Sequence, residues 1–530
     1  MQTPPEPPSP LPPEDFGPPI EHPDPSDATG NEPALSRRSD PGSPGAGRFA
    51  WIMVAAAVGL IILSHSAAPE APEGSADSPT PTAGVLKLLA RYAAGASEFT
   101  GATGDEEQTA TIREQLVSPI EAAVVSRDDS LRAALVVFGL GDDDRAMTLV
   151  NGALAPAEGS TTSSDSGAES PDDATATGTG AESDTTADSA PDTAAIPEYV
   201  RADAARIRTL IESGADALTP ADRAALEEHH GWFAEYALTR GLPSTDPARH
   251  AALAPARRVV FALVALASVA GAGLLAGIVI LVFLLIRFSR GRLRTRYAPP
   301  GWGGSVYLET FAIFLVALLG LQAVGGFITG LTGVDITEGL LWIMPLILLW
   351  PLARGSRRVE AKYALGWHRG EGVFKEMGAG LVGYLAGLPV LAVGFLGTIT
   401  LLAIKSALTG EQGPPPTHPI VQDAGATSLW GILSIYLLAS VWAPIVEESM
   451  FRGALFHHLR GRFGAVAAAA MVGFIFAIIH PQGILLVPPL MALGFVFCLI
   501  REWRGSLIGS MTAHAVHNAI LMTVLITAMR

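Results

Sequence analysis

The sequence has little charge and almost no cysteine. Only 16% of its 530 residues are Asp, Glu, Lys or Arg, whereas about 25% is usual for a soluble chain. Its single cysteine, Cys498, cannot form an intrachain disulfide. Neither a CxxC nor an HExxH pattern occurs, so two common signatures of a zinc site are missing. The low charge argues against a soluble protein, and the missing motifs give no direct indication of a metal centre.

Hydrophobic residues, in contrast, make up 49% of the chain and are concentrated in long runs. Several runs approach or exceed the ~20 residues that cross about 30 Å of hydrocarbon as a helix. We therefore predict an all-α, polytopic transmembrane helical bundle of about eight helices plus an N-terminal anchor helix. The predicted spans are Phe49–Leu63, Val259–Ile286, Val306–Ile328, Leu340–Leu352, Gly378–Ile404, Trp430–Val446, Ala465–His480, Ile484–Ile500 and Leu507–Met529.

The hydrophilic parts of the chain flank the first apolar run. Residues 1–48 form a Pro-rich tail that holds 14 of the 40 prolines, a composition that predicts disorder. Residues 49–68 form the transmembrane anchor, and residues 69–255 form an extracytoplasmic insert with helical patterning. Within the insert, residues 155–196 contain nine acidic residues and no basic one, which is typical of a flexible linker. Residues 256–530 form the membrane domain.

Basic residues follow every second predicted span. Cytoplasmic loops carry an excess of Lys and Arg, whereas the intervening loops Gly330–Gly339 and Thr409–Ser428 contain neither. The alternation predicts a multi-pass protein with a cytoplasmic N-terminus and the insert outside. We expect it to lie in a bacterial plasma membrane. The basic residues after the even-numbered spans are Arg287, Arg290, Arg292, Arg294, Arg296, Arg354, Arg357, Arg358, Lys362, Arg369, Arg460, Arg462, Arg501 and Arg504.

Three clusters of polar residues lie inside or beside the apolar runs near the C-terminus, where such residues are costly and usually functional. The first cluster contains Glu447, Glu448 and Arg452. On a helix, Glu448 and Arg452 are i,i+4 neighbours and can form an ion pair. Glu447 lies about 100° away around the helix and lacks that partner. An unpaired carboxylate in a low-dielectric site has a raised pKa, which suits a general base near neutral pH.

The other two clusters are His480, at the end of one span, and His514 with Asn518 in the last span. His514 and Asn518 are also i,i+4 neighbours, and together they offer two hydrogen-bond donors to a developing oxyanion. At about 1.5 Å per residue, Glu447, His480, His514 and Asn518 all lie roughly 15–24 Å from the basic ends of their spans. We therefore expect them to meet at one depth in a buried cavity, as in an intramembrane enzyme.

Other histidines in this region receive simpler interpretations. His457 and His458 lie near Arg460, where we expect them to be solvated at the cytoplasmic interface. His517 lies on a different helical face from His514 and is interpreted as a packing residue.

The three clusters together resemble a known family. Glu-Glu-x-x-x-Arg, Phe-x-x-x-His and His-x-x-x-Asn occur in this order on separate predicted helices. This pattern is similar to that of the CPBP family of CAAX-protease and bacteriocin-processing intramembrane endopeptidases, which includes CAAX prenyl protease 2 and lysostaphin resistance protein A-like proteins. The resemblance covers residues 429–522. It implies water activation by Glu447 and His480, oxyanion stabilisation by His514 and Asn518, and support by Glu448 and Arg452.

The resemblance leaves the cofactor open. Glu447, His480 and His514, with Asn518, could in principle bind zinc, and members of the family are often named metalloproteases. The family is also described as glutamate-dependent without a structural metal. We favour metal-free catalysis and expect no cofactor, with zinc as the alternative.

The predicted function is hydrolysis of peptide bonds in membrane-associated proteins, including CAAX-like prenylated ones, by water activated on Glu447. The expected partners are a protein or peptide substrate and the lipid bilayer, and no nucleic acid. One alternative is a catalytically silent binding or immunity protein on the same fold. Another is a proton-coupled transporter, which would place ionisable residues across the bilayer rather than at one depth.

Overall fold

The protein is described by a computed structural model that covers residues 40–66, 81–100, 106–155, 196–334, 336–409 and 429–529. Within these ranges the chain forms helices joined by short turns and contains no β-strand. The predicted all-α class is therefore confirmed. Residues 1–39 of the Pro-rich tail, 156–195 of the acidic linker and 410–428 of one loop lie outside the described residues.

The helices fall into an N-terminal group and a membrane group. The first group consists of α1 (Pro44–Ser66), α2 (Pro81–Thr100), α3 (Glu106–Ala122), α4 (Arg127–Gly139), α5 (Asp143–Ala153), α6 (Glu198–Ser213), α7 (Pro220–His230) and α8 (Trp232–Leu238). The second group consists of α9 (Pro247–Ser289), α10 (Val306–Thr332), α11 (Thr337–Leu341), α12 (Trp350–Ala353), α13 (Arg358–Leu365), α14 (Val373–Thr409), α15 (Leu429–Arg460), α16 (Ala465–Ile478), α17 (Val487–Arg504) and α18 (Ile508–Met529).

Apolar helices identify an integral membrane protein. Among the described residues, six helices are long and apolar enough to cross a bilayer, and two further apolar helices, Gly339–Ala353 and Ala465–Ile478, are shorter. Each predicted span coincides with one of these helices or with α18. The anchor helix begins at Pro44, five residues before the predicted run. The six long helices are Pro44–Ser64, Pro247–Ser289, Val306–Thr332, Val373–Thr409, Leu429–Arg460 and Ile484–Arg504.

The insert has a hydrophobic core of its own. Leu86 of α2, Leu135 of α4 and Trp232 of α8 are buried in one cluster, which Leu253 and Ala256 of α9 join. Because α9 is a single helix of 43 residues, its first turns belong to this core and its later turns form a membrane span. The helix thus connects the insert directly to the membrane bundle.

Glycines allow the helices around the polar clusters to approach closely. An added Cβ at Gly380 of α14 would lie 2.2 Å from the backbone oxygen of Gly509 in α18. One at Gly387 would lie 2.4 Å from the side chain of Val496 in α17. Only glycine permits helices to approach so closely. Helix α14 therefore packs tightly against α17 and α18, next to the polar clusters.

Candidate active site

The helix that carries the Glu-Glu motif is not α-helical throughout. Two segments of α15, Leu438–Trp442 and Ser449–Leu455, adopt π-helical turns. At the end of the first segment, the N–H of Ala443 donates to the carbonyl of Leu438, five residues earlier. Pro444 has no N–H. In the same i+5 register, the carbonyl of Ala439 therefore lacks a backbone donor, and the Asn518 amide supplies one at 2.8 Å. The π-turn thus ties α15 to α18, and π-turns are frequent at functional sites.

Glu448 lies at the centre of a fully buried charge network. Its Oε1 atom accepts hydrogen bonds from Arg452 at 2.9 Å and from Nδ1 of His514 at 3.0 Å. The side chains of Glu448 and Arg452 are 0% exposed. A buried carboxylate is tolerated only when it is paired and hydrogen-bonded, and this one joins α15 to α18. The predicted i,i+4 pair of Glu448 and Arg452 is therefore present in the structure.

Arg452 is enclosed by aromatic rings and backbone. Its guanidinium lies 4.7 Å from the ring centroid of Phe476 and 5.1 Å from that of Phe497. A second nitrogen donates to the carbonyl of Gly494 at 3.1 Å. The faces of aromatic rings attract cations, more strongly when water is excluded. Phe476 belongs to the Phe-x-x-x-His motif, whereas Phe497 and Gly494 were not singled out from the sequence. The contact of all three with the guanidinium was not predicted, because it depends on how the helices pack.

Glu447 has a different environment from its neighbour. Its side chain is 25% exposed, and Oε2 lies 3.9 Å from Nε2 of His514. That oxygen is buried and has no hydrogen-bond partner among the described residues. The two adjacent carboxylates differ in access rather than in the number of free oxygens, because Oε2 of Glu448 also lacks a partner among the described residues. Glu448 is fully buried and held through Oε1 by Arg452 and His514, whereas Glu447 is partly exposed and can bind water or substrate on Oε2.

His480 follows the end of α16 and shares this environment. Its Nδ1 atom donates to the carbonyl of Phe476 at 2.5 Å, so the other ring nitrogen, Nε2, is left as an acceptor. The imidazole interacts electrostatically with Glu447 and His514. Three separate helices thus bring Glu447, His480 and His514 into one cluster.

The ring of His514 is fixed in orientation. It stacks on Phe497 with 5.1 Å between centroids and an interplanar angle of 29°. With Nδ1 directed at Glu448 and Nε2 at Glu447, the imidazole lies between the two carboxylates. Asn518 lies one turn further along α18, but its amide nitrogen already donates one hydrogen bond to Ala439. One amide N–H of Asn518 remains for another acceptor.

The arrangement does not form a metal-binding set. Among the described residues, no three His, Cys, Asp or Glu side chains converge in a way that could hold a metal ion. The side chains as placed do not fit a zinc site of Glu447, His480 and His514.

Comparison with known families bears on the same part of the chain. Residues 429–520 match the family model of the type II CAAX prenyl endopeptidases, Rce1-like. We refer to this matched segment as the Rce1-like domain. It extends from the start of α15 into α18 and contains Glu447, Glu448, Arg452, His480, His514 and Asn518. No curated protein and no solved structure matches the chain. The Rce1-like match covers a small part of the chain, and residues 1–428 lie outside it.

Proposed function

We propose that the protein is an intramembrane endopeptidase that hydrolyses peptide bonds of membrane-associated proteins with water activated by Glu447. The observation that carries this proposal is the cluster of Glu447, His480 and His514, in which Glu447 keeps a buried, unpaired oxygen. The match of the same segment to the Rce1-like endopeptidases supports it. A proton relay across the bilayer finds less support, because these ionisable groups gather in one place.

The free oxygen of Glu447 accepts a proton from water, and the water oxygen attacks the scissile carbonyl carbon. The acceptor nitrogen Nε2 of His480 holds the second hydrogen of that water. Glu447 then passes its proton to the leaving amine as the C–N bond breaks, so the carboxylate is regenerated. A positioned acid–base group of this kind contributes roughly 10²- to 10⁴-fold to the rate.

The tetrahedral intermediate carries a negative oxygen that needs donors. We assign the first donor to Nε2 of His514. This role requires a hydrogen on both ring nitrogens, because Nδ1 donates to Glu448. The remaining N–H of Asn518 is the second donor. Removal of one such donor typically costs about 10²- to 10³-fold in turnover. Glu448 and Arg452 do not touch the substrate in this scheme; they fix the position and orientation of His514.

Terminomics of membrane fractions tests the proposal and identifies substrates together. Cells carrying the native chain are compared with cells carrying Glu447→Gln, which keeps the shape of the side chain and removes the base. Glu212→Gln, an exposed glutamate of the insert, is the matched control. We expect peptide ends that occur with the native chain and the control but not with Glu447→Gln. Identical profiles at equal protein abundance would contradict proteolysis and favour a binding or immunity protein.

We also propose that the N-terminus and the arginine-rich loops face the cytoplasm, with the insert outside, because basic loops stay inside. Cys498 is buried, so introduced cysteines can be labelled selectively. A membrane-impermeant maleimide should label Arg201→Cys of the insert in intact cells and Arg369→Cys only after permeabilisation. The reverse pattern would overturn this orientation.

A further inference from the structure

A run of arginines follows the end of the membrane helix α9. Arg287, Arg290, Arg292, Arg294 and Arg296 occur within ten residues. The helix ends at Ser289, and Gly291 adopts a positive φ of 66° that turns the chain away from the helix axis. The backbone N–H groups of Arg296 and Tyr297 then donate to the carbonyls of Trp503 and Glu502 in α17. The run is therefore attached to the bundle at both ends.

Four of these arginines have no acidic partner in the part of the chain that the structure describes. Arg296 forms an ion pair with Glu371, but Arg287, Arg290, Arg292 and Arg294 are exposed and form no ion pair with any described residue. Three other arginines of the membrane group are paired, Arg354 with Glu309, Arg460 with Glu502, and Arg504 with Glu371 and Glu376, whereas Arg357, Arg358 and Arg369 form no ion pair with a described residue either. Among the described residues, the first part of the run thus presents a set of guanidinium groups whose charge no carboxylate neutralises.

The position of the run indicates which groups neutralise its positive charge. The last turns of α9 expose the apolar side chains of Phe283, Leu285, Ile286 and Phe288, which belong to a candidate membrane span. At about 1.5 Å per residue, Arg287 and Arg290 lie within roughly 6 Å of this apolar surface along the helix axis. Cationic groups at that depth meet lipid phosphates before they meet a soluble partner, and guanidinium binds phosphate through paired hydrogen bonds.

We propose that Arg287, Arg290, Arg292 and Arg294 form a binding site for the headgroups of anionic phospholipids. Clusters of four or more basic residues directly beside a membrane helix are attracted to anionic lipid. The alternative is a solvated basic loop that only determines topology. The two differ in an observable way: a site keeps anionic lipid in preference to zwitterionic lipid when the protein is taken out of the membrane, and a solvated loop does not.

The test uses the purified full-length protein in a neutral detergent. Native mass spectrometry measures how tightly it retains added phosphatidylglycerol and phosphatidylcholine. We expect a preference for phosphatidylglycerol of about tenfold or more, since each basic group near the surface contributes to the attraction. The preference should fall with added salt. It should persist with inorganic phosphate at constant ionic strength, because the proposed ligand is a lipid headgroup and not free phosphate.

Two variants with equal loss of charge locate the site. The quadruple change Arg287→Gln, Arg290→Gln, Arg292→Gln and Arg294→Gln should abolish the preference. The control changes four exposed basic residues of a different stretch of the chain, in and beside α13: Arg357→Gln, Arg358→Gln, Lys362→Gln and Arg369→Gln. It should keep the preference, and both variants should melt like the native chain in the neutral detergent. No lipid preference in the native protein, an unchanged preference in the first variant, equal loss in both, or displacement by free phosphate would overturn the proposal.

Discussion

The insert and the Rce1-like domain use charged residues in opposite ways. In the insert, Arg145 and Glu114 pair at the surface, with side chains 33% and 61% exposed. In the domain, Glu448 and Arg452 form a pair with no exposed surface. Water can replace either partner of the first pair, whereas nothing in the bundle can replace a partner of the second. Burial therefore makes the same kind of ion pair far more consequential near the proposed catalytic cluster.

One residue of the insert does not follow this contrast. Asp203 is fully buried, and its carboxylate accepts hydrogen bonds from Arg206 at 2.7 Å and from His229 at 2.6 Å, with His230 at 3.3 Å. Burial opposes ionisation, but the hydrogen bonds from His230, His229 and Arg206 outweigh it and lower the pKa of Asp203 from 3.8 to about 2. The importance of a charged group thus depends on its burial rather than on the region of the chain in which it lies. Variants of each ion pair can measure this difference in stability.

The largest effect is expected for Glu448→Ala. It leaves Arg452 buried without a counter-charge, which costs about 3–5 kcal/mol, and it releases His514. We expect a large drop in the melting temperature of the purified protein, together with loss of proteolysis. The double variant Glu448→Leu with Arg452→Met removes both charges and should recover much of the stability but none of the activity. Equal instability of the single and double variants would show that the pair is not the cause.

A smaller loss is expected for Asp203→Asn. The folded pKa of Asp203, about 2, lies below the reference value of 3.8. Its contribution of about 2 kcal/mol is therefore present above pH 4 and is lost as the pH falls from about 4 toward 2. Melting curves of the native chain and of the Asp203→Asn variant should differ at neutral pH and converge as the pH falls through this range. A difference that does not depend on pH would contradict the ionised carboxylate.

Asp40→Ala should cost about 1 kcal/mol, as for loss of a helix cap. Asp40 precedes the anchor helix α1, yet its Oδ1 accepts the N–H of Val306 at the start of α10, at 3.0 Å. The same carboxylate lies 3.6 Å from His458. The melting temperature should fall modestly, and Asp40→Asn should retain most of the native value. If Asp40→Ala melts like the native chain, the contact does not stabilise the bundle.

The smallest effect is expected for Glu114→Gln at the insert surface. Exposed pairs contribute less than about 1 kcal/mol because water screens them. The melting temperature of the variant should be close to that of the native protein. Added salt should reduce the remaining difference between the two melting temperatures. A loss comparable to that of Glu448→Ala would remove the proposed contrast between surface and buried pairs.

Local spacing was enough to predict part of the site. The pairing of Glu448 with Arg452 follows from i,i+4 spacing, and the meeting of Glu447, His480 and His514 follows from their similar depth on separate helices. Asn518 shows the limit of such reasoning. Its bond to Ala439 depends on a π-turn and on the missing N–H of Pro444, and an ideal α-helical spacing does not include that turn.

Non-local contacts were beyond prediction. His457 and His458 were expected to be solvated, and this was wrong, because both are buried. His457 bonds to the Tyr297 hydroxyl at 2.7 Å, and His458 packs near Asp40, in a segment that the sequence assigned to a disordered tail. Such contacts join residues that are 160 or more positions apart in the chain, so neither periodicity nor hydropathy reveals them.

The most direct test of the central claim is cleavage by the purified protein in lipid nanodiscs. The substrate is a peptide in which three residues follow a prenylated cysteine at the C-terminus. It is compared with the same peptide without the lipid group. The proposed mechanism predicts hydrolysis by the native chain and by Glu212→Gln, and a loss of at least about 100-fold in Glu447→Gln. Cleavage of either peptide would support a protease, and cleavage of only the prenylated one would define the substrate. Cleavage by folded Glu447→Gln at the native rate would contradict the account.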